Sequence, residues 1–196
     1  MKENNNIPEK KSSKLVNDLT KYKDEGCALY KEKKIVEATN KFSQGFRQFE
    51  DEISGLKKDS LNDDEYNEII LLGKKILSNL ALCFYKQGNY PQAIFYDLKL
   101  LKNQPNFGKS IVRLFKSSIK LNKIKLAVEY GELFLKLDEE TRNKFKGTEN
   151  QIKEAQLKLK KIEKEEEKAK SGLGKYFLPF VILCIAVLGY YILKKK

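Results

Sequence analysis

The sequence predicts an all-α fold of stacked helical hairpins, closed by a further helix and followed by a single membrane-spanning helix. Three observations predict it. Three ten-residue blocks can be laid over one another: LYKEKKIVEA (29–38), FYKQGNYPQA (84–93) and SIKLNKIKLA (118–127). Apolar residues around them recur at three- and four-residue spacings, the period of an amphipathic helix. Near the far end, YFLPFVILCIAVLGYYIL (176–193) carries no charge over 18 residues.

The blocks share Lys at the third place, an apolar residue at the seventh and Ala at the tenth. Ala93 and Ala127 lie 34 residues apart, as do Leu80 and Leu114. Small residues such as Gly26, Ala38, Ala81 and Ala93 would let the two helices of a hairpin approach closely. Larger ones such as Leu29, Phe42, Phe84 and Ile111 would fill the seams.

Taken in order, 1–12 (MKENNNIPEKKS) is polar, without the apolar core of a secretory signal, and reads as a disordered lead-in. A repeat region follows over 13–138. Ser12 or Ser13 caps a first helix running to about Lys33, with Leu15, Leu19, Tyr22 and Leu29 on one stripe. A second runs from Ile35 to about Leu56, carrying Phe42, Phe46, Phe49 and Ile53. After the polar loop KKDSLNDD, Asp63 or Asp64 caps a third helix reaching about Gln87, and Gly88-Asn89 makes the turn. Pro91 stands in the first turn of the fourth helix, where a missing N–H does no harm, and Pro105 ends that unit. Two more helices, about 107–121 and 124–137, complete a third hairpin. Residues 139–170 are helix-forming, with Ile152, Ala155, Leu157, Leu159 and Ile162 as a weak apolar stripe: a cap over the last repeat, then a solvated spacer.

Ser171-Gly172-Leu173-Gly174 breaks this helix within a linker, 171–175. The run 176–193 would span roughly 27 Å at about 1.5 Å per residue, close to the hydrocarbon thickness of a thin bilayer. Tyr176, Tyr190 and Tyr191 sit at its ends, as interfacial aromatics do, and the basic tail 194–196 follows. So short a tail implies a C-terminal anchor: a single-pass protein with its N-terminus in the cytosol, in the mitochondrial outer membrane or the endoplasmic reticulum.

Composition narrows the chemistry. There is no His among the 196 residues, which removes His-dependent nucleophilic catalysis and most zinc sites. Cys27, Cys83 and Cys184 have neither metal-like nor disulfide-like spacing and read as buried hydrophobes in a reducing compartment. The sequence thus predicts no enzyme, catalytic residue, metal, cofactor or small-molecule substrate. A formal charge of +12, from 39 Lys+Arg against 27 Asp+Glu, is spread along the chain and interleaved with Glu. That pattern suits solvated helix faces, acidic peptides or an anionic lipid surface, and no nucleic acid is expected.

The period of 34 with helix–turn–helix content resembles the tetratricopeptide repeat. On that resemblance the chain has three repeats plus a capping helix. The first hairpin is lengthened by 21 residues, since 55 separate Ala38 from Ala93. Long second and third helices with an acidic loop resemble the tetratricopeptide domain of the large immunophilins, from about Leu15 to Lys170. Their isomerase domain has no counterpart here.

The resemblance implies a binding module: a membrane-anchored co-chaperone or docking receptor that holds the acidic C-terminal peptide of a heat shock protein 90 or 70 class chaperone in a carboxylate clamp. Carried over by register, the clamp is Lys23, Asn79, Lys109 and Arg113, with Cys27 where the family has an Asn. Lys and Arg donors form short charge-assisted bonds to carboxylates, and neutral amides satisfy remaining lone pairs. Losing one bond to a charged group costs about 1.5–3 kcal/mol, so Cys27 implies a weakened or retuned site. The alternative is a tail-anchored structural adaptor, like those that divide mitochondria, holding a partner helix on its concave face.

Overall fold

A computed structural model describes residues 11–55 and 63–169, and all of the secondary structure within them is helical. The helices are α1 (Lys11–Lys31), α2 (Ile35–Gly55), α3 (Asp63–Lys86), α4 (Tyr90–Leu101), α5 (Gly108–Lys120), α6 (Ile124–Leu135), α7 (Glu139–Asn143) and α8 (148–169). Each packs on its chain neighbour from α1 to α6, and α3 also lies against α1 and α5. That is the stacking of three helical hairpins. At 21 and 24 residues, α2 and α3 are about twice as long as α4, α5 and α6, the lengthening expected between the first two repeats.

The repeated blocks coincide with the hairpin turns. Their fifth places, Lys33, Gly88 and Asn122, all take positive φ, at 64°, 78° and 55°. The next residue donates its N–H five residues back in each case, Lys34 to Leu29, Asn89 to Phe84 and Lys123 to Ser118, at 2.9–3.0 Å. The αL residue itself bonds three back, to Tyr30, Tyr85 and Ile119. This paired pattern closes a helix by satisfying carbonyls its last turn leaves open. The tenth places, Ala38, Ala93 and Ala127, are all 0% exposed, and the third-place lysines Lys31, Lys86 and Lys120 all face solvent. Gly26 is a forced small residue: a Cβ there would stand 2.5 Å from the Phe42 ring.

Helix starts follow ordinary chemistry. The Asn89 side chain accepts from the Gln92 N–H at 3.3 Å, with Pro91 in the first turn of α4. Asp138 accepts from the Thr141 N–H at 2.8 Å, which holds its carboxyl below the usual carboxylate range. α3 begins at Asp63, so Asp63 and Asp64 lie inside its first turn with Glu65, where negative charge suits the helix dipole.

Two hydrophobic clusters form. The first, within α1–α4, centres on Leu15, Leu19, Phe42, Phe46, Ile69, Ile76 and Leu80. The second joins Ile111, Phe115, Ala127 and Phe134 to Leu137, Ile152 and Ala155. The segment 139–169 is two helices rather than one, and Ile152 and Ala155 of the second pack on the last hairpin. Gly147, with φ at 81°, separates the two helices. Ile152 is 0% exposed and lies on Gly131 of α6, whereas Leu157 is 60% exposed and does not belong to the packing stripe. Among the described residues no helix is long and apolar enough to cross a membrane. Of the expected lead-in, Lys11 and Ser12 already belong to α1; residues 1–10, most of the loop 57–64, the linker, the run 176–193 with Cys184, and the basic tail lie outside the described residues.

Candidate peptide-binding cavity

α1 and α3 face each other along a cleft that opens toward the start of α5. A cavity of about 440 Å³ lies there, lined by Lys23 and Cys27 from α1, by Leu71, Lys74, Lys75, Ser78 and Asn79 from α3, and by Gln104, Phe107 and Lys109 around the start of α5. Four of the expected positions therefore meet: Lys23, Cys27, Asn79 and Lys109. Local sequence places each of them. Lys23 and Cys27 are four apart on α1, and Asn79 is reached through the close α1–α3 packing. Lys109 is the second residue of α5, just past Phe107, where the chain turns into the helix.

Among the described residues the lining carries four ammonium groups and no carboxylate. Lys23 is three-quarters covered and holds Asp24 at 3.0 Å at the rim. Lys74, Lys75 and Lys109 have no ion-pair partner among the described residues. The Asn79 amide donates to the Cys27 sulfur at 3.5 Å, so Cys27 holds the amide that stands at the centre of the cleft. A smaller pocket of about 170 Å³ shares Cys27 and Asn79 and continues the cleft past Tyr30 and Leu82. Leu71, 49% exposed, and half-buried Phe107 give the main cavity an apolar wall.

Arg113 is placed differently. It does not line this cavity; its side chain is buried at the joint of α4 and α5, in a two-toothed pair with Asp97. Nε donates to Oδ2 at 2.8 Å and Nη2 to Oδ1 at 2.5 Å. Asp97 is 0% exposed, and burial raises its carboxyl above the usual range while the guanidinium pulls it back. Burial likewise raises Tyr30 and Tyr85 and pushes the Cys83 thiol up to about 11, and the Arg113 charge offsets part of each rise.

Sequence reasoning missed Lys74, Lys75, Leu71, Gln104 and Phe107. A signal was there for part of this set: Leu71, Lys75 and Asn79 follow one another at intervals of four, which puts them on one face of α3. Nothing local marks Gln104 and Phe107, which reach the cavity only because the α4–α5 connection folds beside α3. Among the described residues no three His, Cys, Asp or Glu side chains stand together as a metal site would need.

No protein-family model matches the sequence, and no curated protein does. Solved structures do share the fold. The C-terminal tetratricopeptide-containing domain of an FK506-binding protein from Plasmodium falciparum is 23% identical, with a TM-score of 0.58 over 76% of this chain and 97% of that one. The Hsp90 co-chaperone Cns1 from Saccharomyces cerevisiae is 20% identical, with a TM-score of 0.56 over 85% of this chain. Only 46% of the Cns1 chain is covered. Helix order, turn geometry and these neighbours agree that the described residues have a tetratricopeptide-repeat fold.

Proposed function

We propose that this chain is a protein-binding module of the co-chaperone kind, whose lysine-lined cavity takes the acidic C-terminal peptide of a heat shock protein 90 or 70 class chaperone. The observation that carries this reading is the lining itself: four lysines and an Asn amide from three helices, with no acidic residue among them. An anion entering meets donors from three helices and, among the described residues, no carboxylate in the lining. The similar fold of an Hsp90 co-chaperone supports the choice of partner. In this reading Lys23, Asn79 and Lys109 touch the peptide, Cys27 orients Asn79, and Arg113 acts through the α4–α5 joint. The run 176–193 anchors the module in the mitochondrial outer membrane or the endoplasmic reticulum with the repeats in the cytosol.

Fluorescence titration with a peptide ending in Glu-Val-Asp tests the site. Lys23→Ala with Lys109→Ala should weaken binding about tenfold or more, since hydrogen bonds to charged groups contribute about 1.5–3 kcal/mol each. Binding unchanged in that double variant would remove the assignment. A fluorescent fusion imaged with organelle markers tests the anchor, which predicts loss of membrane localisation on deletion of 176–193.

A further inference from the structure

We infer that the cavity reads side-chain carboxylates rather than a terminal carboxylate, so that internal acidic segments of proteins are ligands as well as acidic C-termini. The inference rests on the proposed peptide site and concerns what that site can discriminate. Recognising a chain end demands donors oriented on its α-carboxylate. Most of the oriented donors nearby are committed elsewhere. Two N–H groups of the Arg113 fork are bound to Asp97, and one N–H of the Asn79 amide is directed at Cys27, whose sulfur offers no amide donor in turn, so a single amide N–H is left for the ligand. Beside that one N–H, what remains are ammonium groups on flexible stems, which attract charge without fixing its geometry.

The ammonium groups are also spread for a longer ligand. Lys23 stands on α1, Lys74 and Lys75 on α3, and Lys109 on α5, around a cavity of about 440 Å³. Lys74 and Lys75 face it from a second side and have no ion-pair partner among the described residues. Leu71 and Phe107 between them offer an apolar wall. The matching ligand is an extended segment with several Asp or Glu residues and an apolar side chain among them. Its affinity follows the number of carboxylates and falls with salt, because exposed pairs are screened over a Debye length of about 8 Å at physiological ionic strength.

The experiment uses the full chain in neutral detergent and three labelled peptides of one sequence, Glu- and Asp-rich with a central Leu. One has a free C-terminus; one ends in Gly-Gly amide, which makes every carboxylate internal; one has Gln and Asn for the acids. The free and amidated peptides should bind within about threefold of each other, and the amide-substituted one should bind neither cavity nor rim measurably. Lys74→Ala with Lys75→Ala should weaken both acidic peptides about fivefold to tenfold and flatten their salt dependence, with the far-UV spectrum unchanged. A loss of more than about tenfold on amidation, or full affinity in the Lys74/Lys75 variant, overturns the inference and leaves the peptide site standing. No binding of either acidic peptide at low salt overturns both.

Discussion

The two halves of this molecule close their cores by different means. In α1–α4 the core is sealed by length: α2 and α3 run on for about three extra turns and bring Phe46, Phe49 and Ile53 over it. The face left between α1 and α3 stays open and carries the lysine-lined cavity. In α5–α8 the hairpin helices α5 and α6 are short and the core is sealed by addition, with Ile152 and Ala155 of α8 packed on them. Where the two clusters meet, α4 and α5 are joined by Asp97 and Arg113, one fully buried ion pair across the seam. The half that adds a helix covers α6 with Ile152, and the half that lengthens two helices presents the lysine-lined face.

Breaking the seam should have the largest effect. Asp97→Ala leaves the Arg113 guanidinium buried without its partner, and removing one member of such a pair costs about 3–5 kcal/mol. Urea unfolding monitored by circular dichroism measures this, and a loss below about 1 kcal/mol would mean that water or another acceptor replaces Asp97. Replacing both members, Asp97→Leu with Arg113→Met, should recover most of the loss, because a well-packed apolar pair avoids the desolvation of two charges. Specificity of register would then be lost before stability. That double variant should also lose less peptide affinity than Lys23→Ala with Lys109→Ala.

The same pair gives a signed pH effect. Burial raises the folded-state pKa of Asp97 above its unfolded value, so the folded chain holds its proton more tightly. Its contribution to stability is then greatest at pH below the ordinary carboxylate value and declines as pH rises through the raised one. Glu25 and Asp138 are shifted down by their partners and act in the opposite sense, adding stability above the ordinary carboxylate range. The contribution of Asp97 therefore has to be read as a difference from Asp97→Asn. That difference should fall with rising pH across the window, and a rise would mean that the guanidinium outweighs burial.

A smaller loss separates the halves. Ile152→Ala removes a fully buried side chain from the α6–α8 contact, at a cost of about 3 kcal/mol. Hydrogen exchange should then accelerate in α5, α6 and α8 while α1 and α2 keep their protection. Uniform acceleration would show that the two clusters unfold as one.

Much of this architecture is legible in the sequence, and what is not has physical reasons. The ten-residue blocks mark the hairpins because a buried Ala and an αL turn residue are local requirements of close packing. The family resemblance, carried over by register, brings Lys23, Cys27, Asn79 and Lys109 together, and all four line the one cavity. Arg113 could not be told from Lys109 by spacing. α5 is enclosed on most sides, with buried residues from Gly108 to Ser118, so a position one turn further in lies in the joint and not on the rim. Its partner Asp97 is 16 residues away on another helix. Leu157 was misplaced on the cap because only Ile152, Ala155, Leu159 and Ile162 keep helical spacing, and residue 157 falls on the opposite side.

The smallest effect concerns the hairpin turns, which the two halves share. Lys33, Gly88 and Asn122 have the same left-handed backbone, but only Gly88 takes it without a Cβ penalty. A non-glycine residue there is strained by about 1–2 kcal/mol, and Asn is eased by its short polar side chain. Lys33 carries the longest side chain of the three in this conformation. Lys33→Gly should therefore stabilise the chain by about 0.5–1 kcal/mol once the extra entropy of the unfolded glycine is subtracted, and Asn122→Gly by less. Gly88→Ala should destabilise by about 1 kcal/mol although nothing lies within 4 Å of the added methyl. Thermal unfolding of the three variants ranks them, and equal shifts would mean that the turns are held by their neighbours rather than by their own backbone preference.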